Sequence, residues 1–384
     1  MFFNAVEGQG LGNYQSNMSG EQPKRVVLKL GTGVLSLDVG RLNEPRIDQL
    51  CERVAKWTRE GYELLLVSSG AVGLGMGLLG LTQRPSDMAT LQACAAVGQS
   101  RLVEIWQRAF SQQGIMIAQV LLTREDLRSR ERHLGVRDTL DKLLSRGVVP
   151  IINENDTVSN EEIKFGDNDV LSALVASLVK AERLVILTTV EGLIDLGGSG
   201  DLVPVVETIT PSIEAMAGGT QSATAVGGMV SKIEAANVAC QSGCGVFIID
   251  GRNPETLDCL LEGHNPGTFF VPATEDLKSR KRWLAFFQKP RGTLIVDSGA
   301  REAVLSQGGS LLAKGIIDLQ ESFERGALVY IAGPNADAFA RGICQFSSSE
   351  VRELIGMENI VVQEKFPSVG KGEIVHRDSL VLLH

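Results

Sequence analysis

From Lys24 to about Asp250, short and almost wholly apolar runs alternate with stretches whose apolar residues recur every three to four positions. The runs at Arg25–Leu30, Glu63–Ser68, Ile115–Leu121, Val148–Ile152, Leu184–Thr188 and Gly245–Ile249 mostly lack period-two alternation. They therefore read as strands of a parallel sheet covered on both faces. The periodic stretches, such as Arg46–Glu60, Ala89–Gln112, Leu134–Ser145 and Asn168–Lys180, read as the intervening helices. The pattern predicts an α/β fold with a doubly wound, mostly parallel sheet. Leu196–Gly228, rich in Gly, Ser, Ala and Thr, reads as a mobile lid or hairpin over the carboxyl edge of that sheet. After Lys289–Pro290 the style changes. Short apolar runs at Thr293–Val296, Ala327–Ile331, Ala340–Gln345 and Ile360–Val362 alternate with glycine turns, which predicts a small, mostly-β second domain.

Length supports the division, because 384 residues exceed what one modest core accommodates. The expected organisation is an N-terminal extension (1–23), an α/β domain (24–275) and a smaller domain (276–384, core about 290–365). The extension lacks the basic start and apolar centre of a signal peptide, and no apolar stretch approaches bilayer-spanning length. The cytoplasm is the expected compartment, with no membrane partner. The net charge of −9 is uneven: from Lys278 onward 14 Lys+Arg face 12 Asp+Glu, a balance of +2, which leaves −11 for the rest. That balance argues against nonspecific nucleic-acid coating. Six scattered cysteines and four dispersed histidines complete no metal set, so buried thiols and no metal site are expected.

Four segments carry candidate chemistry, and each begins where a predicted strand ends, which is where ligands gather in such sheets. In Lys29–Gly33 (KLGTG) a strand runs into glycines beside a lysine, a way of turning backbone N–H groups toward a phosphate. Val67–Gly75 (VSSGAVGLG) places Ser68, Ser69, Gly70 and Ala71 at a helix start suited to a carboxylate or phosphate, or simply to a serine cap. Around INENDTV and GDND, the residues Asn153, Glu154, Asn155, Asp156, Asp167, Asn168 and Asp169 form a density of acids and amides beyond what capping needs. Such a cluster suits a cationic amine, a magnesium ion or a lysine that must be held in place. In Val226–Ala236 (VGGMVSKIEAA) paired glycines precede a helix whose first turn carries Lys232, aimed back toward the helix N-terminus. This is not a Walker A frame. No Ser–His or Cys–His pair stands out. Phosphoryl transfer works mainly by positioning and charge neutralisation, and a carboxylate acceptor with a free pKa of about 4.3 needs no base. The inventory fits a kinase acting on a carboxylate better than one acting on an alcohol.

These strings, with AAVGQSRLVEIW, LLTREDL and VPIINENDTVSNEEIKFGDNDVLSALVA between them, resemble the amino acid kinase family, and specifically its branch that phosphorylates glutamate. KRWLAFF, GTLIVDSGAREAVL, SLLAKGI and FERGALVYI resemble the PUA domain that bacterial members of this branch append. The resemblance implies ATP-dependent phosphorylation of the γ-carboxylate of L-glutamate to L-glutamyl 5-phosphate, the first step of proline biosynthesis. It implies that Lys29 and Lys232 contact the ATP phosphates and the moving phosphoryl group, and that Asp169 holds the lysines in register. Ser69, Gly70, Ala71, Asp156 and Asn168, with Asp167 beside them, match glutamate-binding positions. Gly31, Thr188, Thr189, Val226, Gly227, Gly228 and Met229 join the two lysines as ATP-binding positions. Mg2+ arrives with ATP. Proline is the implied feedback inhibitor and a homo-oligomer, dimer or tetramer, the implied assembly.

Two departures touch the nucleotide side only. Thr189 stands where the family usually has Asp, unless Asp195 or Glu191 substitutes, and Val226 replaces a hydroxyl residue before Gly227–Gly228. A working kinase with weaker or altered ATP affinity is the expectation. The alternatives are another carboxylate or carbamate kinase of the same fold, acting for example on N-acetylglutamate or aspartate, an inactive regulatory relative, or an RNA-binding protein. The last is disfavoured by the near-neutral second domain, which lacks a dense basic stripe.

Overall fold

The apolar run before the first glycine turn forms β1 (Lys24–Leu30), whose last five residues are buried. In the computed structural model β1 is the hub of an eight-stranded sheet. A hairpin, β2 (Ser36–Asp38) and β3 (Arg41–Leu42), follows it. On one side β1 pairs in parallel with β4 (Tyr62–Ser68), and beyond that lie β6 (Val149–Glu154) and β5 (Ile117–Leu122), also parallel. On the other side it pairs in parallel with β7 (Arg183–Thr188), which pairs in parallel with β9 (Gly245–Asp250). Then come β10 (Thr268–Phe270), antiparallel to β9, and β8 (Val205–Val206). The chain thus fills one side of β1 first and the other side afterwards. That makes β1 the topological switch point, the place where a crevice opens at the carboxyl ends of the strands.

The structure describes residues 24–158, 167–217, 226–273, 290–367 and 372–383; the side chains of Arg124, Arg128, Arg130, Asp167 and Val226 lie outside that set. The N-terminal extension and the basic stretch at 278–282 therefore fall outside the described residues. Two compact units are present, Met1–Asp276 and Leu277–His384. No helix among the described residues is long and apolar enough to cross a membrane.

In the first unit the helices are α1 (Thr32–Leu35), α2 (Glu44–Arg59), α3 (Ala71–Leu78), α4 (Met88–Gln112), α5 (Arg124–Arg128), α6 (Arg130–Leu144), α7 (Asp167–Val179), α8 (Pro211–Ala217), α9 (Val226–Gln241) and α10 (Glu255–Leu261). The face of β1 bearing Val26, Leu28 and Leu30 packs on Ile47, Leu50, Val54 and Trp57 of α2 and Leu102, Trp106 and Phe110 of α4. Full burial of a side chain of this size stabilises by about 1.5–3 kcal/mol. The opposite face of β1 meets α7, and α9 packs on α7. Lys29, between Leu28 and Leu30 in the strand, points to this second face because successive side chains alternate. Asn43 and Asp87 cap α2 and α4 by accepting the N–H groups of Arg46 and Thr90. The α3–α4 contact is backbone on backbone. A Cβ on Gly75 would lie 1.8 Å from the Cys94 carbonyl oxygen, and one on Gly98 1.8 Å from that of Ala71. Glycine at both positions lets α4 fix the start of α3.

The second unit is a five-stranded sheet in the order β12 (Ile316–Gln320), β11 (Gly292–Val296), β13 (Leu328–Ala332), β14 (Ala338–Cys344) and β15 (Val375–Leu382). Its pairings are antiparallel except β11 with β13. Ile360–Val362, read above as a strand, lies inside a helix, Asn359–Lys365. Three β-branched residues in a row imitate a strand, but only Val362 is buried while Ile360 and Val361 are exposed, and one contact point per turn is a helical pattern. β12 and β15 escaped the sequence reading because IIDLQ and VHRDSLVL mix polar and apolar residues. The Leu196–Gly228 stretch also carries more structure than a hairpin. An Ile194–Leu202 bridge closes its first loop, and β8 and α8 follow, with 218–225 outside the described residues.

Candidate active site

The carboxyl ends of β6, β4, β1, β7 and β9 line up along one edge of the sheet, so residues just past those ends share a rim. Past β6 come Asn155 and Asp156, past β4 Ser69 and Gly70, and past β7 Thr189. Lys29 is the penultimate residue of central β1. Helix α7 begins at Asp167 and sends two adjacent side chains in different directions along this rim.

Asp169, fully buried, takes the charged half. Its Oδ1 lies 2.6 Å from Lys29 Nζ and its Oδ2 lies 3.1 Å from Lys232 Nζ. Ser231 donates its hydroxyl to the same Oδ2 at 2.7 Å. Lys232 also donates to the Gly228 carbonyl at 2.8 Å, so its chain does run back toward the start of α9. The helix starts at Val226, however, which puts Lys232 in its second turn and not its first. The two glycines are therefore helical residues, and a Cβ on Gly228 would make only an ordinary 3.9 Å contact with Lys232 Nζ. A Cβ on Gly31 would lie 3.4 Å from Lys29 Nζ, again an ordinary contact. Burial drives the Lys29 ammonium below the usual lysine value; Asp169 opposes that shift and Lys232 reinforces it. Burial pushes Asp169 upward, but the Lys29 and Lys232 ammoniums outweigh it and hold the carboxyl below its ordinary value. Two buried ammoniums and one carboxylate leave a local surplus of one positive charge.

Asn168 takes the uncharged half. Its Nδ2 donates to Ser69 Oγ at 2.9 Å, to Asn153 Oδ1 at 3.0 Å and, more weakly, to the Ser68 carbonyl at 3.4 Å. Asn153, itself buried, accepts the Glu154 N–H at 2.9 Å and donates its Nδ2 to Gln99 Oε1 of α4 at 2.8 Å. Trp106, also on α4, donates its indole N–H to Ser68 Oγ at 3.0 Å. Gly70 precedes α3 with φ +114°, a backbone state that L side chains rarely adopt, and so turns the first N–H groups of Ala71 and the following residues outward from the helix.

The structure thus brings Lys29, Lys232 and Asp169 into contact, and separately Ser69 and Asn168. Asp156 is half-buried in the turn after β6. Thr188 ends β7, and the methyl of Thr189 sits where a Cβ on Gly33 would come within 2.7 Å. The side chains of Asp167 and Val226 lie outside the described residues, whereas Gly227, Gly228 and Met229 run through the first turn of α9. The Gly31 N–H donates to the Leu187 carbonyl at 3.3 Å, which keeps the turn stitched to β7. Asp195 Oδ2 accepts the Ser199 N–H at 3.3 Å, while the Asp195 backbone carbonyl accepts the N–H groups of Gly198 and Gly200 within the same loop. Sequence reasoning missed Gln99 and Ser231 here, and had Asn153 only as one member of the acid and amide cluster. The available signal for Gln99 was a polar residue on the buried stripe of α4, between Ala95 and Leu102. Among the described residues no group of three or more His, Cys, Asp or Glu could hold a metal ion.

Residues 24–250 match the amino acid kinase family, and residues 292–364 match the PUA domain. The chain belongs to the amino acid kinase family. Glutamate 5-kinase from Pelobacter propionicus is 44% identical over 364 residues, covering 94% of this chain and 98% of the relative. Glutamate 5-kinase from Syntrophotalea carbinolica is likewise 44% identical, over 365 residues and with the same coverage of both chains. Carbamate kinase from Giardia lamblia, solved with AMP-PNP, aligns with TM-score 0.48 and 18% identity over 65% of this chain and 99% of that one. Within this amino acid kinase, the family match includes both lysines, Asp169 and the whole amide network, and the second unit carries the separate PUA match.

Proposed function

We propose that this kinase moves the γ-phosphoryl group of ATP onto the γ-carboxylate of L-glutamate, forming L-glutamyl 5-phosphate and ADP, the first step of proline biosynthesis. The observation that carries the reading is the division made by α7, with Asn168 in a neutral amide pocket and Asp169 between two buried lysines. The lysine half, with its surplus positive charge, suits the phosphates and the phosphoryl group in transit, where preorganised charge contributes most. The half bearing Ser69, Asn168 and the start of α3 suits an amino acid, with N–H groups for a carboxylate and the Asp156 carboxylate and amide oxygens for an ammonium. A substrate carboxylate is ionised at neutral pH, so its oxygen attacks the γ-phosphorus and the bond to the β-phosphate oxygen breaks without a general base. Lys29 and Lys232 neutralise the charge on the moving group, and Asp169 keeps both in place.

Mg2+ would enter with ATP and help neutralise its phosphates beside Lys29 and Lys232, and Gly31, Thr188, Thr189 and the start of α9 from Val226 to Met229 flank the nucleotide. Proline as feedback inhibitor, a homo-oligomeric assembly and a cytoplasmic location belong to the same reading. The test is ATP turnover with glutamate and hydroxylamine. The wild type yields trapped hydroxamate and N-acetylglutamate does not replace glutamate, while Lys232→Ala loses about 10²–10³-fold in rate. Hydroxamate formed at equal rates by both proteins would refute the assignment of Lys232. None from the wild type would refute the reaction.

A further inference from the structure

Asn168 Oδ1 is buried and has no hydrogen-bond partner among the described residues, although Nδ2 of the same amide has three acceptors. A buried carbonyl oxygen without a donor is costly, so one that persists at a site calls for a donor arriving with the ligand. Which end of the amide faces the ligand depends on the neighbours. The Ser69 hydroxyl can donate as readily as accept, and the Ser68 carbonyl is distant at 3.4 Å. The decisive acceptor is therefore Asn153 Oδ1 at 3.0 Å. Asn153 is itself held from two sides, by the Glu154 N–H on its oxygen and by Gln99 Oε1 on its nitrogen.

We infer that Gln99 is a positioning residue for the substrate's ammonium: it anchors Asn153, which turns Asn168 so that the latter's oxygen is presented to the amino group. Gln99 touches the ligand nowhere in this scheme and acts from α4, a helix locked onto α3 by Gly98 and Gly75. The inference rests on the amino-acid-kinase reading above and adds what selects an amine-bearing substrate. A substrate lacking the amine gains nothing from the arrangement. Losing the anchor leaves the Asn153 NH2 buried without an acceptor, so the amide pivots and Asn168 no longer presents a fixed oxygen.

The test compares Gln99→Met, which conserves volume but removes the acceptor, with Gln99→Glu, which keeps an acceptor oxygen. Four quantities are read in each: KM for glutamate, KM for ATP, kcat, and the inhibition constant of glutarate, the same diacid without the amine. Q99M is expected to raise the glutamate KM about tenfold, the size of one lost hydrogen bond to a charged group, with the ATP KM, kcat and glutarate constant within about twofold. Q99E is expected to bring the glutamate KM back to within about threefold of wild type. A glutamate KM unchanged in Q99M overturns the inference. So does an equal rise for glutamate and glutarate, which marks general loosening. Thermal melts accompany the kinetics, and Gln99→Ala takes the same four readings should Q99M fail to fold. The wild-type arm reports separately on the reaction: without hydroxamate from glutamate it is the functional reading that fails, whereas wild-type activity with an indifferent Q99M fails the role of Gln99 alone.

Discussion

Replacing Asp169 by Asn keeps the shape of the side chain and removes the one negative charge between two buried ammoniums. At an effective dielectric constant of about 20, the 2.6 Å contact with Lys29 and the 3.1 Å contact with Lys232 are worth about 6 and about 5 kcal/mol of gross attraction. Most of this offsets the cost of desolvating three charges, several kcal/mol each, so the pair sum is not the loss expected. What the substitution exposes is the uncompensated remainder, two like charges in a nearly dry pocket, and breaking buried pairs of this kind costs about 3–5 kcal/mol. For a unit of this size that lowers Tm by about 6–20 °C. The lysines also lose their common anchor, so kcat falls by about 10²–10³-fold. Added ATP supplies negative charge to the same lysines and so recovers part of the lost Tm in D169N. Calorimetry with and without MgATP, alongside ADP release with glutamate, measures all three effects. A D169N protein melting within about 2 °C of wild type, or one with kcat reduced less than threefold, refutes the claim that this carboxylate organises the lysines.

The pH response follows from the same group. Asp169 titrates below its unfolded value of about 3.9, so between the two values the unfolded chain holds the extra proton; its contribution is complete above about pH 4 and is lost as pH falls through the folded value. Melts from pH 7 to pH 3 should therefore show the wild-type advantage over D169N narrowing only at the acid end, and a gap that narrows between pH 7 and pH 5 contradicts this. Gly98→Ala places a methyl 1.8 Å from the Ala71 carbonyl oxygen, a backbone contact that no rotamer relieves, and separates α3 from α4. It is expected to cost about 1–3 kcal/mol or more and to raise the glutamate KM more than the ATP KM, because α3 starts at the substrate side; equal KM changes in steady-state assays would count against it.

Much of the site was legible because its charged residues sit at element boundaries. Lys29 lies at the end of an apolar strand, one residue before its last, and Asp169 lies in the first turn of a helix, and both positions are marked by a change of pattern in the sequence itself. Gly70 was legible for a similar reason, since a glycine between a strand and an apolar helix invites a positive φ. Gln99 and its contact with Asn153 were not, because that contact joins residues 54 positions apart and depends on the α3–α4 packing that two glycines allow. The start of α9 was misplaced because paired glycines read as a loop, whereas here they are helical residues. The Ile360–Val362 error has the opposite origin: local β propensity was overridden by the single buried position, Val362.

The sequence GDND sets carboxylates at 167 and 169 on either side of an amide, and the fold explains why the middle residue is uncharged. Residues 168 and 169 leave one helix start in different directions, one toward β4 and β6, the other toward β1 and α9. A carboxylate at 168 would stand beside Asp169 in the same low-dielectric rim and cancel the surplus positive charge that the two lysines retain. The phosphates would then meet a neutral pocket, and the lysines would lose the field that holds transferring charge. An amide at 168 can still offer an oxygen to an ammonium, provided something fixes which end points outward, and that is the task the Asn153–Gln99 contact performs. In the proposed reaction, substrate recognition by a neutral, oriented amide and phosphoryl stabilisation by a net cationic triad would both follow from one helix start placed at the switch point of the sheet.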